Sequence, residues 1–306
     1  MAGLPQRVVI TEVGLRDGLQ NESATVPTAD KESLARRLAG TGLPRLEVGA
    51  FVRPDLVPQM ADSGELLGRI GDLSSTVELC AIAPNVRGAE RAAGTDVSEV
   101  RLFLSASEGH SQSNTGRTVA EGIAAVLAAA DVVRAAGKRV SVGVATAFVC
   151  PFEGNIDPRV LAGIVGQITQ DGIDRIGLAD TIGKAHPGQV RDALHAVRDA
   201  SPEATIGLHL HDTYGTGLAN AWVAMEEGVN IFDSSIGGVG GCPFAPGAAG
   251  NVATEDLVFM CHAAGVETGV DLEAVNTVAQ TLPALVGHPI ESRQSRLRAK
   301  AVAEDV

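Results

Sequence analysis

The stretch TIGLHLH, from Thr205 to His211, is an apolar run that ends in two histidines. Its composition predicts a β-strand. Side chains two positions apart on a strand lie on the same face, so His209 and His211 are expected side by side at the end of the strand. Two adjacent imidazoles can bind one metal ion. Ordinary polar residues at a strand end give the same pattern, and the rest of the chain decides between the two interpretations.

Seven other apolar runs of similar length occur along the chain, and stretches with helical periodicity separate them. The predicted strands are Val8–Val13, Arg45–Val48, Val77–Ile82, Glu99–Leu104, Arg139–Ala145, Arg175–Ala179, Thr205–Leu210 and Ile231–Ile236. The clearest predicted helices are Ala29–Gly40, Val119–Ala136, Arg159–Gln170, Gly188–Ala200, Leu218–Glu226 and Thr254–Ala264. Strands this apolar favour a parallel sheet covered by helices, and eight βα units are the number that closes a (β/α)₈ barrel, the TIM barrel.

No linker and no change in composition divides the 306 residues. We therefore predict one domain, 1–306, with the barrel over about 7–268 and an additional helical segment over about 269–306. The alternative architecture is a doubly wound open sheet, which normally carries a Gly-x-Gly-x-x-Gly turn after its first strand. Here the first strand is followed by Gly14-Leu15-Arg16-Asp17-Gly18, which has charged residues where that motif has glycine.

The composition excludes several classes of partner. A net charge of −13 argues against a nucleic-acid partner. The one basic cluster, Arg293, Arg296, Arg298 and Lys300, is interpreted as a solvated tail. No apolar run is long enough to span a membrane, so no membrane partner is expected. The four cysteines are too few and too scattered for a disulfide framework, and we expect a reducing, cytoplasmic setting.

Polar residues collect at the carboxyl ends of the predicted strands, where the active sites of TIM barrels lie. They are Arg16, Asp17, Glu47, Asp180, His209, His211 and Asn251. The carboxylate of Asp17, the two imidazoles and the amide of Asn251 form a mixed oxygen and nitrogen set without thiolate. Such a set suits Mg²⁺ or Mn²⁺ with open coordination positions better than a structural zinc. Turn formation is the alternative explanation for Asp17 and Asn251, which both lie beside glycine.

Further acidic residues accompany this set. Glu47 and Asp180 end predicted strands and are interpreted as partners that orient Arg16 or the imidazoles. Glu255 and Asp256 begin the last barrel helix, where the helix dipole already favours acidic side chains. For Asp256 that structural explanation is sufficient.

A glycine-rich loop is the second strong signal. It runs from Gly237 to Gly247 and carries Cys242. A loop of this length without secondary structure is usually functional or disordered, and an exposed cysteine in it is a candidate acid, base or nucleophile. An incidental cysteine in a flexible loop is the alternative. Cys80 and Cys261 lie in apolar patterns and are predicted to be core residues.

Several motifs together resemble those of the 3-hydroxy-3-methylglutaryl-CoA lyase family. They are GLRDGLQNE at 14–22, CPFEG at 150–154, LADTIG at 178–183, HLHDTYG at 209–215, GVGGCP at 238–243 and GNVATED at 250–256. The resemblance runs from about Val8 to about Gly269, and the Gly-Gly-Cys-Pro loop is its most specific part. The Arg-Asp-Gly and His-x-His parts are shared with Claisen-type synthases and pyruvate-utilising aldolases of the same metal-dependent barrel superfamily.

The resemblance implies a retro-Claisen cleavage of an acyl-CoA, such as 3-hydroxy-3-methylglutaryl-CoA to acetyl-CoA and acetoacetate. It implies that one set of residues binds a divalent metal, Mg²⁺ or Mn²⁺: Asp17, His209, His211 and Asn251. A second set matches further polar residues needed for activity: Glu47, Asp180 and Glu255. Arg16 would stabilise the thioester enolate, Gln20 would contact the substrate, and Cys242 would be the catalytic cysteine of a mobile loop. A homodimer is the family expectation.

Two departures from the family pattern leave the side chain of the acyl-CoA substrate undetermined. The segment Val48-Gly49-Ala50 replaces small hydroxyl residues, and the stretch 108–114 also differs. Both lie near strand ends that can shape an acyl pocket, so a longer 3-alkyl substituent is a second substrate hypothesis. A Claisen-condensing synthase or an aldolase is the alternative activity, and the Gly-Gly-Cys-Pro loop argues against it. A non-catalytic binding barrel is the third hypothesis.

Overall fold

Eight parallel strands close into a barrel in the computed structural model, which describes residues 3–240 and 250–304. Named in chain order, the barrel strands are β1 (Val9–Glu12), β2 (Arg45–Ala50), β3 (Glu78–Ala83), β4 (Glu99–Ser105), β5 (Arg139–Ala145), β6 (Arg175–Asp180), β7 (Thr205–Leu210) and β8 (Ile231–Ser234). Each strand pairs with its neighbour in sequence, and β8 pairs with β1 to close the barrel. The predicted TIM barrel is confirmed.

Helices cover the outside of the barrel. They are α1 (Thr28–Ala39), α2 (Ser63–Ile70), α3 (Val86–Ala93), α4 (Glu108–Thr115), α5 (Val119–Ala135), α6 (Pro158–Gln170), α7 (Pro187–Ala200), α8 (Gly217–Glu226), α9 (Thr254–Ala263), α10 (Leu272–Ala279), α11 (Leu282–Val286) and α12 (Arg293–Glu304). Local sequence explains where several begin. Thr118 and Glu121 form a capping box at the start of α5, and Asp157 caps α6 just before Pro158. No helix among the described residues is long and apolar enough to cross a bilayer.

The predicted strand boundaries agree with the structure to within two residues. The two largest differences occur at β2 and β8. Strand β2 continues to Ala50, and β8 stops at Ser234 because Ile236–Gly238 forms a 3₁₀ turn. The apolar composition therefore predicted the positions of the strands well. The glycines after β8 end that strand two residues before the predicted boundary.

Ion pairs attach the C-terminal helix α12 to the rest of the molecule. The Arg293 guanidinium lies 2.8 Å from the Asp212 carboxylate, and the backbone N–H of Arg293 donates to Asp256 at 2.9 Å. Arg298 pairs with Glu273 of α10 at 2.6 Å. The interpretation of this basic cluster as a solvated tail is therefore wrong for Arg293 and Arg298, because acidic residues of α9, α10 and the loop after β7 supply partners.

The barrel interior is packed unevenly. On β1, β2 and β8 nearly every residue is buried. On β4 to β7, alternate residues face the interior and are half-buried, among them Phe103, Gly143, Gly177 and His209. Since side chains alternate between the two faces of a strand, this pattern marks a cavity inside the barrel along β4 to β7.

Candidate active site

A cavity of about 370 Å³ opens at the carboxyl ends of the strands, and its lining falls into two walls. The polar wall consists of Arg16, Asp17, Gln20, Asn21, Arg101, His209, His211 and Asp233. The apolar wall consists of Ile82, Phe103, Gly143, Ala145, Gly177 and Ala179. Helix α4 adds His110, Ser113 and Asn114, so the stretch 108–114 does reach the cavity, whereas 48–50 does not line it.

A π-helical turn after β1, Gly14–Gly18, carries Arg16 and Asp17. The backbone N–H groups of Arg16, Asp17 and Gly18 all donate to the carbonyl oxygen of Val13. A Cβ atom at Gly14 would lie 2.6 Å from a carboxylate oxygen of Glu12, and one at Gly18 would lie 2.7 Å from a side-chain carbon of Val239. Both glycines are therefore required by close packing, and the turn is held tightly against the start of the loop after β8.

Asp17, His209 and His211 form a triangle of ligand atoms. The two Nε2 atoms of the histidines lie 3.2 Å apart, and each lies 3.8 Å from Oδ2 of Asp17. Two imidazole lone pairs and a carboxylate that face one another repel unless a cation or a proton lies between them. The two nitrogens and one oxygen therefore fit a divalent cation with open coordination positions. The structure brings the three residues together, and their role as metal ligands stays a prediction.

Asn251 lies next to this triangle. It forms a β-bridge with His211, and its amide nitrogen donates to Oδ2 of Asp17 at 2.8 Å and to the carbonyl of Val239 at 3.1 Å. A half-turn of the side-chain amide would place its oxygen, the atom that can bind a metal, where the nitrogen now lies beside Asp17. The two orientations differ in the hydrogen bonds that the amide can form. The structure thus brings Asn251 to the site, and its role as a ligand stays a prediction.

Glu47 lies behind Arg16. The Nε atom of Arg16 donates to a carboxylate oxygen of Glu47 at 2.5 Å, and the guanidinium also pairs with Asp17. Arg16 is only 8% exposed, and Glu47 is fully buried. The expected contact between Glu47 and Arg16 is present, and it holds the guanidinium at the wall of the cavity.

Two charged residues that the sequence reasoning missed complete this arrangement. Asp233 accepts from Nδ1 of His209 at 3.2 Å and pairs with Arg101 at 2.5 Å, and Arg101 also pairs with Glu47 at 3.1 Å. The contacts run from Arg16 through Glu47, Arg101 and Asp233 to His209, and we call this series the ion-pair chain. The available signal was a charged residue within a predicted strand, at 101 on β4 and at 233 on β8.

The surroundings set the charges of the triangle. Burial, with His209 acting in the same direction, lowers the pKa of His211 to about 4. Its imidazole is therefore neutral near pH 7, which is the form that binds a metal. Burial alone would raise the pKa of Asp17, but the Arg16 guanidinium and the imidazoles hold that pKa well below its usual range. Asp17 is therefore an anion.

Asp180 and Glu255 lie behind the rim and do not line the cavity. The Asp180 carboxylate accepts the backbone N–H groups of Lys184 and Ala185 at 3.1 and 3.0 Å, and burial raises its pKa to about 6. Glu255 accepts the backbone N–H of Gly237 at 3.0 Å. The Asp180 oxygens thus hold the loop after β6, whereas the carboxylate that hydrogen-bonds to the His209 imidazole belongs to Asp233 of β8. The role of Asp180 in activity stays a prediction.

Glu12 is a further buried acid that the sequence reasoning missed. At the end of β1, it accepts the backbone N–H groups of Gly14 and Ile236 at 2.7 and 2.8 Å and the hydroxyl of Thr254 at 2.5 Å. Burial raises its pKa to about 7. Glu12 thus ties together the turn that carries Arg16, the start of the loop after β8 and the first residue of α9. An acid at the end of an apolar strand was the available signal.

Cys242 lies outside the described residues, which stop at Gly240 and resume at Gly250. Its predicted role is therefore a matter for experiment. Cys80 and Cys261 are fully buried, and burial raises the pKa of both thiols. The prediction that these two cysteines are core residues is confirmed.

Comparison with known proteins identifies the family. The HMGL-like family matches residues 7–282 of this chain. A 3-hydroxy-3-isohexenylglutaryl-CoA/hydroxy-methylglutaryl-CoA lyase of Pseudomonas aeruginosa is 39% identical, over 97% of this chain and 99% of that protein. The chain belongs to the HMGL-like family. The resemblance inferred from the motifs is confirmed, and with it the prediction of a carbon–carbon lyase.

Two further members of the family are similar over nearly the whole chain. An (R)-citramalyl-CoA lyase of Chloroflexus aurantiacus is 40% identical, and the match covers 93% of each protein. The crystal structure of the HMG-CoA lyase of Bacillus subtilis matches this fold with a TM-score of 0.94 at 36% identity, over 98% of this chain and all of that chain. The names of these relatives thus give different acyl groups.

Proposed function

We propose that this chain cleaves 3-hydroxy-3-methylglutaryl-CoA, or a close 3-hydroxy-3-alkylglutaryl-CoA, to acetyl-CoA and the matching 3-oxo acid. The observation that carries the proposal is the convergence of Arg16, Asp17, His209 and His211 on one wall of a cavity at the carboxyl end of the barrel. The names of the relatives, which are acyl-CoA lyases, support the same class of reaction.

Asp17, His209 and His211 would hold the divalent cation, Mg²⁺ or Mn²⁺, with Asn251 as a fourth ligand. When bound, the cation supplies Lewis-acid activation of the tertiary hydroxyl of the substrate and of the carbonyl that forms from it. Asp233 accepts the Nδ1 proton of His209, and in the neutral imidazole Nε2 is then the nitrogen that can bind the cation.

Arg16 acts on the other product. When the C2–C3 bond breaks, the tertiary hydroxyl gives its proton to a base in the cavity and its oxygen becomes the carbonyl of the 3-oxo acid. The electron pair of the C2–C3 bond moves onto the thioester and forms an enolate. The planar guanidinium of Arg16 stabilises the enolate oxygen. Because Glu47 and Asp17 already fix that guanidinium, little reorganisation is needed as the charge develops. Gln20, on the same wall, contacts the thioester.

An acid must then protonate C2 of the enolate, and we assign this step to Cys242. Closure of its glycine-rich loop over the bound substrate would bring the thiol to that carbon and exclude water. Glu255 supports this loop through the backbone of Gly237, and Asp180 supports the loop after β6. By analogy with the family, we further propose a cytoplasmic homodimer.

The cleavage of (R)-citramalyl-CoA is a second candidate activity, since a relative of that name is 40% identical. It would use the same polar wall with a shorter acyl group. Claisen condensation is less well supported, because the relatives compared above are named as lyases.

Release of acetyl-CoA by the purified protein tests the proposed function. Stripping the protein with EDTA should abolish cleavage of 3-hydroxy-3-methylglutaryl-CoA, and Mg²⁺ or Mn²⁺ should restore it. His209→Ala should lose metal-dependent activity, whereas His195→Ala should keep it, because His195 lies exposed on α7 and pairs with Glu227. Full activity in metal-free protein would refute the assignment.

A further inference from the structure

The apolar wall lacks the side chains that normally fill a TIM barrel. In this fold the interior is usually packed with layers of bulky branched residues. Here the inward positions of β5 are Gly143 and Ala145, and those of β6 are Gly177 and Ala179. All four are half-buried, although they lie on strands in the middle of a closed sheet. One side of the barrel is therefore hollow.

Packing does not force glycine at these positions. Neither Gly143 nor Gly177 has a positive φ angle. A Cβ atom at Gly143 would meet its nearest neighbour, the Leu102 carbonyl oxygen, at 3.8 Å, and one at Gly177 would meet the Cα of Gly143 at 3.8 Å. These are ordinary contact distances, unlike the 2.6 Å and 2.7 Å found for the glycines of the π-helical turn. The space beside β5 and β6 thus belongs to the cavity and could hold a side chain.

The hollow has a defined floor and a defined opening. Gly143 and Gly177 pair with each other in register, and Phe103 pairs with Gly143 on the other side. Below them, the Arg101–Asp233 ion pair crosses the barrel and borders both this cavity and a second space of about 30 Å³ underneath. The hollow therefore borders the Arg101–Asp233 ion pair, and Asp233 in turn contacts His209 of the triangle.

We infer that the hollow beside Gly143 and Gly177 receives the substituent at C3 of the substrate, and that this enzyme accepts substituents several carbons longer than methyl. The inference rests on the proposed function, because it places C3 at the triangle of Asp17, His209 and His211. The glycine and alanine backbone, with Ile82 and Phe103, offers an apolar surface to a hydrocarbon chain. Gly143 and Gly177 are then the residues that determine specificity.

The test compares kcat/KM for 3-hydroxy-3-methylglutaryl-CoA and 3-hydroxy-3-hexylglutaryl-CoA. Wild-type protein should cleave the hexyl thioester within about tenfold of the methyl thioester. Gly143→Val and Gly177→Val fill the hollow, and each should lower kcat/KM for the hexyl thioester by at least about 10- to 200-fold, the range for a misfit of a single methylene in an apolar pocket. The methyl thioester should lose less than about threefold, because its substituent stays near the triangle.

Gly163→Val is the matched control, because Gly163 is exposed on α6 and a Cβ atom there meets nothing within 4 Å. Gly163→Val should leave kcat/KM for both thioesters unchanged. Gly143→Ala and Gly177→Ala serve if a valine variant does not fold, and they should show a smaller shift in the same direction. Equal losses for both thioesters in the folded variants, or a wild-type protein that cleaves the methyl thioester alone, would overturn the inference. Failure to cleave any of these thioesters would contradict the proposed function itself.

Discussion

The two walls of the cavity are built in opposite ways. On the polar wall each charged group has a buried partner, and the ion-pair chain links Arg16 to His209 across the barrel. On the apolar wall, β5 and β6 present glycine and alanine alone. Catalytic groups must be held within about half an ångström of their working positions, whereas a wall of small residues can gain a side chain without disturbing them. We therefore expect the polar wall to determine kcat and the apolar wall to determine which substrate is accepted.

The largest effect is expected from Cys242, in the loop that follows the last strand of the polar wall. Cys242→Ser keeps the size of the side chain but makes a far weaker acid, so kcat should fall by roughly 10²- to 10⁴-fold while metal affinity stays unchanged. Alkylating reagents should inactivate the enzyme, and mass spectrometry should find the label on Cys242. Cys80 and Cys261 are fully buried and should react slowly. A fully active Cys242→Ser variant would show that the cysteine is incidental.

Arg16→Lys should cause the second largest loss of kcat. Lysine keeps the charge but loses the planar fork that pairs with Glu47, so we expect kcat to fall by about 10²-fold or more. Titration calorimetry should still detect Mn²⁺ binding, because Arg16 is not a proposed ligand. Arg159→Lys is the control, since Arg159 lies exposed on α6 and pairs with Asp157. A near-normal kcat for Arg16→Lys would exclude the enolate role.

Arg101→Met cuts the ion-pair chain at its centre without touching a proposed ligand or the reacting atoms. Glu47 and Asp233 would both lose a buried partner, so Arg16 and His209 would be held less firmly. Loss of such a supporting contact typically costs about 10- to 100-fold in activity or metal affinity. The measurement is kcat together with Mn²⁺ affinity for a folded variant. Arg175→Met, which removes a partner of Glu99 at the other end of the barrel, should leave both values near normal.

Glu12→Gln should have the smallest effect on activity and a clear effect on the pH dependence of stability. The pKa of Glu12 is about 7 in the folded state against an ordinary value of 4.5. The folded state therefore binds this proton more tightly than the unfolded state, and Glu12 lowers the free energy of unfolding as the pH rises between these two values. At about 1.4 kcal/mol per pH unit, the loss is of the order of 3 kcal/mol.

Glutamine reproduces the protonated carboxyl and removes this loss. Urea denaturation at about pH 5 and about pH 7.5 should show that Glu12→Gln gains stability relative to wild type at the higher pH. Thr115→Val, an exchange on α4 away from these contacts, is the control. It should change the free energy of unfolding by the same amount at both pH values. The same pH dependence in Glu12→Gln and wild type would mean that another group titrates in this range.

Much of this arrangement could be predicted from the sequence because it depends on short-range patterns. Period-two and period-3.6 patterns located the strands and helices, and the carboxyl-end rule brought Asp17, His209 and His211 together. Arg101 and Asp233 were missed because their partnership depends on barrel closure, which sets β4 and β8 facing each other across the interior. The hollow beside Gly143 was missed for a similar reason, since a glycine in a strand does not reveal whether packing or a cavity accounts for it.

The central claim, that the polar wall is a metal-dependent reaction centre, is tested most directly by anomalous diffraction from crystals grown with Mn²⁺. We predict one strong anomalous peak among Asp17 Oδ2, His209 Nε2 and His211 Nε2, at about 2.0–2.3 Å from each atom. The peak should persist in Gly143→Val, which alters the apolar wall alone, and should disappear in His209→Ala. A peak elsewhere, or a peak at the triangle that survives His209→Ala, would contradict the account.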